Sequence, residues 1–161
     1  MRNKYILPVL LIMSLAIPSA IGKEFTVNQI TYSILSTEPP TVEVTDIRQN
    51  ETDVVVIPET VKPMEGSGLT DEDYKVVSVK ESAISRYSSF STLVLPKSIE
   101  KLASVLGYSS RWTETIVDEE NPYFKTVDGI VYNHALDTLI VCPTAKTVFE
   151  PLPPSLRVIG D

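Results

Sequence analysis

The chain has 161 residues, with 14 Lys and Arg against 21 Asp and Glu, for a formal net charge of −7. An acidic chain of this kind is a poor ligand for nucleic acid and is repelled by anionic membrane surfaces. Its single cysteine, Cys142, excludes an intrachain disulfide, so stability must come from apolar packing.

Residues 1–22 open with the basic MRNK and continue as the uncharged run YILPVLLIMSLAIPSAIG, which ends in small residues and reads as a secretory signal. Cleavage after Gly22 puts Ala20 and Gly22 at the −3 and −1 positions. It starts the mature chain at Lys23, with 12 cationic residues left against 21 anionic ones, a charge of −9. The competing reading of the same 18-residue run is an uncleaved anchor, but the small-residue end fits a cleavage site better. No later segment is long and apolar enough to span a bilayer, so no stable membrane insertion is expected after cleavage. No cysteine lies near the end of the signal to carry a lipid.

Beyond the signal, short runs rich in Val, Ile, Thr and Tyr recur between Pro, Ser, Asp and Asn. This pattern predicts strands over 25–35, 41–47, 54–57, 75–79, 92–95, 115–117, 130–132 and 139–141. One helix or helical turn is predicted over 98–106, where Ile99, Leu102, Val105 and Leu106 follow a Ser98 N-cap. The segments FTVNQITY (25–32) and FKTVDGIVY (124–132) match, and each precedes a second apolar strand, so two β-hairpins of one kind are expected. In the second, NHALD supplies turn residues and Gly129 allows a bulge or a close approach.

A second repetition lies at strand ends. VVVIPETV (54–61), TLVLPKSI (92–99) and FEPLPPSL (149–156) share an apolar residue, Pro, any residue, Ser or Thr, and an apolar residue. Positions 57, 95 and 152 would then be two and three units of about 19 to 20 residues apart, at the short end of the repeat lengths of stacked arrays. Proline ends each strand for want of an N–H, and the following apolar side chain turns back inward. Each unit is then a coil whose oily edge is covered by its neighbours.

These segments resemble the BspA-like leucine-rich-repeat proteins of bacterial cell surfaces. The likeness rests on Ala83-Ile84 followed by FSTLVLPKSI (90–99), on ENPYF (120–124) leading into VDGIVY (127–132), on LIVCP (139–143) and on LRVIGD (156–161). It implies a mainly β, right-handed leucine-rich-repeat-like solenoid with hairpin modules and few or short helices. It also implies a secreted or cell-surface protein that binds other molecules without catalysis. On this reading 23–50 form an N-terminal hairpin module and 51–161 the solenoid, truncated relative to longer relatives, with an open C-terminal edge available for self-association.

Catalytic chemistry finds little in the residue pattern. His134, the lone histidine, sits in a hairpin tip and has no nucleophile or metal partner near it in sequence. The acidic triplets at 71–73 and 118–120 lack calcium-loop spacing and read as solvated turns. Cys142 reads as a small buried hydrophobe. Asn50-Glu51-Thr52 fits the N-glycosylation pattern, which matters only in a host with that machinery. Tyr87, Phe90, Tyr108, Arg111 and Trp112 form a candidate binding patch, set against the reading that the aromatics cover coil edges as core. No cofactor is expected. The expected partner is a host or matrix protein or a glycan, with a secreted carbohydrate-processing enzyme or a structural spacer as alternatives.

Overall fold

A computed structural model describes residues 20–160; most of the expected signal, residues 1–19, lies outside them. All the named elements are β-strands, and among the described residues there is no helix. Among these residues, accordingly, no helix is long and apolar enough to cross a membrane.

The chain opens with an antiparallel meander. β1 (Glu24–Val27) and β2 (Ile30–Thr37) pair across a two-residue turn, with Val27 opposite Ile30 and Phe25 opposite Tyr32. Asn28 and Gln29 both take positive φ, the turn geometry that matches strand twist in a hairpin. β3 (Pro40–Ile47) returns alongside β2. Phe25 stacks on Tyr32 at 5.5 Å between ring centroids and lies 6.0 Å from Tyr74, which ties the meander to the next part of the chain.

From there the chain circulates. β6 (Tyr74–Val79) runs parallel to β3, and β8 (Lys101–Leu102) runs parallel to β6. A second parallel ladder joins β4 (Val54–Val56), β7 (Thr92–Leu95) and β9 (Glu114–Val117). Parallel bridges from Ile47 to Ile84 and from Ile84 to Gly107 connect the corners between the two ladders. Each circuit therefore lies along the one before it. β5 (Thr60–Val61) pairs antiparallel with β6.

A second hairpin follows. β10 (Phe124–Val127) and β11 (Ile130–Asn133) turn at Asp128 and Gly129, both at positive φ, and Val127 faces Ile130 just as Val27 faces Ile30. β12 (Thr138–Val141) pairs with β11 past a bulge at Val131/Tyr132, and β13 (Val158–Ile159) runs parallel to β12. The two expected hairpins are present. Their Phe residues are not equivalent, since Phe25 faces Tyr32 whereas Phe124 faces Asn133.

Strand alternation builds the core. In β7, Leu93 and Leu95 point in while Thr92 and Val94 point out, and in β4 only Val55 is buried. One apolar cluster runs from Phe25 through Ile47, Ile57, Leu93, Ile99 and Leu106 to Val141.

Three expectations need correction. The segment 98–106 is not helical: Glu100 N–H donates to Val77 O and Ala103 N–H to Val79 O, drawing the chain into the β6 ladder as β8. Tertiary pairing overrides a short helical pattern, and Val105, expected on the apolar face, is exposed. The repeat is also not 19 to 20 residues. Val54 lies beside Thr92, an offset of 38, whereas Thr92 lies beside Glu114 and Ser78 beside Lys101, offsets of 22 and 23. The longer circuit is one turn enlarged by the outgrowth at 62–73. The third strand-end motif, at 149–156, does not stack, and its Leu152 is exposed. Finally, Cys142 is exposed, because alternation past β12 buries Val141 and Pro143 and turns the thiol outward.

Candidate binding face

The parallel ladder β4-β7-β9 presents two outward rows of side chains. One row is Val54, Thr92 and Glu114; the other is Val56, Val94 and Ile116, each beside the next in register. Val56 is 60% and Ile116 42% exposed, with Val94 half-buried between them. Lone exposed aliphatics are ordinary on a protein surface, but a contiguous apolar row is a feature of contact surfaces.

Both rows end in concavities at the β9 side, where the second hairpin leans on the ladder. Thr115 N–H donates to Gly129 O at 2.9 Å and Val117 N–H to Thr126 Oγ1 at 3.0 Å. Glycine eases the approach: a Cβ on Gly129 would sit 3.0 Å from Glu114 Cγ, at a φ of +70°. The polar row runs into a cleft of about 490 Å³ lined by Glu114, Asp128, Lys146 and three threonines. There the Glu150 amide at 2.9 Å and the Lys146 ammonium at 3.2 Å hold the Asp128 carboxyl below its usual range. The apolar row runs into a hollow of about 370 Å³ lined by Ile116, Phe124, Val127 and Leu136.

The five residues of the expected aromatic patch do not come together. Phe90 and Trp112 are buried and hold equivalent places, each two residues before a ladder strand, and Trp112 Nε1 donates to Glu114 O at 3.0 Å. They are core. Tyr87 and Tyr108 are exposed, Tyr87 lying under the Arg86 guanidinium at 5.0 Å. Arg111 is exposed and paired with Asp53 at 3.2 Å.

Two polar devices escaped the residue pattern. The first is Asn121, 1% exposed, whose Nδ2 donates to Ile99 O at 3.0 Å and Pro96 O at 3.2 Å while its Oδ1 accepts from the Tyr123 and Phe124 amides. It locks the turn after β9 to the turn of the previous circuit. The Asn-Pro dipeptide signalled the turn, but nothing in the sequence signalled the reach backward. The second is a line of hydroxyls. Ser88 Oγ donates to Ile47 O, Ser109 Oγ to Ser88 O, and Thr144 Oγ1 to Ser109 O, satisfying successive corner carbonyls.

The remaining candidates are turn residues. His134 is exposed and its amide donates to Tyr123 O at 2.8 Å. Asn133 Oδ1 accepts from the Asp137 and Thr138 amides, closing the NHALD tip as its composition predicts. Asp71 pairs with Lys62 and Glu120 with Lys97. Among the described residues no cluster of three or more His, Cys, Asp and Glu is arranged to hold a metal.

No protein-family model matches the chain, and no curated protein sequence is significantly similar to it. Three solved structures are similar in shape. The pneumococcal vaccine antigen PcpA is 14% identical with a TM-score of 0.39, over 88% of this chain and 62% of that one. A leucine-rich repeat protein from Eubacterium ventriosum is 12% identical with a TM-score of 0.43, over 85% of this chain and 55% of that one. Another, from Bacteroides capillosus, is 14% identical with a TM-score of 0.37, over 85% and 96%. The chain thus spans under two thirds of the first two.

Proposed function

We propose that this chain is a secreted or cell-surface binding protein without catalytic activity, built as a right-handed leucine-rich-repeat-like solenoid of the BspA-like kind. Its partner, a host or matrix protein or a glycan, lies across the outward face of β4, β7 and β9. The observation that carries this reading is the row Val56, Val94 and Ile116, an apolar strip held rigid by three strands and left facing solvent.

The test is binding of purified 23–161 to an array of extracellular matrix proteins and glycans. A specific hit should weaken at least tenfold in the Val94→Asp, Ile116→Asp double variant, which alters outward side chains and leaves the core intact. Binding unchanged by that variant overturns the assignment to this face.

The carbohydrate-processing alternative centres on the cleft with Glu114 and Asp128. A general acid there needs a raised pKa, whereas Asp128 is held low. Release of reducing sugar from a polysaccharide panel, lost in Glu114→Gln, would favour the enzyme. A spacer would show neither binding nor turnover.

A further inference from the structure

β4 is the first strand of the β4-β7-β9 sheet, and its second edge carries no strand among the described residues. On the β7 side, Thr92 N–H donates to Asp53 O at 3.1 Å and Ile57 N–H donates to Val94 O at 2.9 Å. Backbone bonds to one neighbour recur at every second residue of a strand. Residues 53, 55 and 57 therefore face β7, and Val54 and Val56 turn their N–H and C=O groups to the open edge. Folded proteins guard such edges by keeping the strand very short or with lysine, proline, a bulge or a covering loop. Here the strand is short, three residues, but it is Val-Val-Val with regular pairing and no charge, and proline enters only at Pro58, beyond it.

Beside this edge opens a cavity of about 280 Å³, between β4 and the first hairpin, walled by Val27, Ile30, Val54, Val56, Pro58 and Val61. Two carboxylates bracket it along the chain. Glu51 and Glu59 are exposed, and neither forms a direct ion pair among the described residues, whereas Asp53 between them is taken by Arg111; Glu59 also lies near enough to Lys97 to help Glu120 hold that ammonium charged.

We infer that the free edge of β4 is a strand-addition site for an extended polypeptide with aliphatic side chains toward the cavity and Lys or Arg at both ends. The unpaired backbone groups specify an extended chain, since a strand edge bonds another strand. The cavity walls specify its apolar face, and Glu51 and Glu59 specify the charge of its ends. β4 offers the outward N–H and C=O groups of Val54 and Val56 only, so the partner pairs over about three residues and its basic ends reach past them toward Glu51 and Glu59. The inference accepts that the protein binds a partner, but it uses the edge of the sheet and not its face.

The experiment titrates 23–161 into a labelled peptide of sequence KTVTVTVK by fluorescence anisotropy, at low and high salt. Three further peptides serve as comparisons: the same core flanked by Glu, and two forms of the parent N-methylated on alternate residues in the two registers. The lysine-flanked parent should bind at least tenfold tighter than the acid-flanked form, and more weakly at high salt. Just one of the two methylated forms should lose binding, because only one register faces β4. In the protein, Val56→Pro removes an N–H from the open edge while leaving the β7 side intact, and should weaken binding at least tenfold; Glu51→Gln with Glu59→Gln should abolish the salt dependence. No binding by the parent peptide, equal binding by the acid-flanked peptide, or equal binding by both methylated forms overturns the proposal. If Val56→Pro does not fold by circular dichroism, the methylated pair decides alone. Peptide binding lost in Val94→Asp but kept in a folded Val56→Pro would overturn the edge site and leave the face assignment standing.

Discussion

Asn121 shows how much a single side chain can hold. With both ends of its amide bonded to backbone and almost no exposure, it joins two circuits at one point. Its replacement by Ala strands several buried carbonyls and amides, and should cost about 3 kcal/mol, at the upper end for a buried polar group losing its partners; urea melts of Asn121→Ala check this. Thr115 is the opposite case. Its Oγ1 is buried with no hydrogen-bond partner, so Thr115→Val should raise stability by about 1 kcal/mol and lift the melting temperature. Gly107 admits no substitute, because at φ +123° an added Cβ would meet Ile84 O at 2.2 Å. Little of this was legible in the sequence. Asn121 could be seen as a turn residue and Gly129 as a site of close approach, but hydrogen bonds that reach back 22 or 35 residues depend on circuit lengths that local patterns do not encode.

At the scale of elements, strand identity was readable because short runs rich in Val, Ile and Thr stand between turn residues, as along 41–47, 92–95 and 115–117. The register was not. Proline after an apolar run marks the end of β7, yet the strand stacked beneath it, β9, ends on Val117-Asp118 without one. The segment 149–156 carries the motif and stacks nowhere. The helical pattern at 98–106 lost to the ladder because two backbone bonds to β6 compete with about two and a half helical turns, too few for an isolated helix to persist. The second hairpin makes a pH prediction. The Asp128 and Asp137 carboxyls both have folded-state pKa values below the ordinary 3.8, held there by the Glu150 amide and Lys146 in one case and by Asn133 and Thr138 in the other. A depressed carboxylate stabilises the fold fully above its unfolded value and loses that contribution as pH falls through the folded one. Stability should therefore be flat from pH 7 to 5 on account of these groups and fall below pH 4, with Asp128→Asn showing a shallower acid limb in chemical denaturation.

The described residues form three sheets, and the outer strands of those sheets decide how the molecule behaves in company. At the C-terminal end Val148, Phe149, Val158 and Ile159 are exposed together, and β13 offers an unpaired edge among the described residues. Concentration-dependent self-association is the expected outcome in analytical ultracentrifugation, suppressed by Ile159→Lys, which places a charge on that edge. Equal sedimentation of both forms at all concentrations would refute it.

The outgrowth at 62–73 has a practical meaning. Its 12 residues supply most of the excess of that circuit, 38 residues against 22 for the next, and yet leave Val54 to Val56 paired squarely with Thr92 to Val94. Length added to a loop whose ends are already fixed costs little, growing only with the logarithm of its size. A foreign peptide spliced between Gly66 and Gly68, or removal of that bulk, should be absorbed without disturbing the strands on either side. This protein is therefore modular in a particular sense: one rung can be refitted while the others stay as they are.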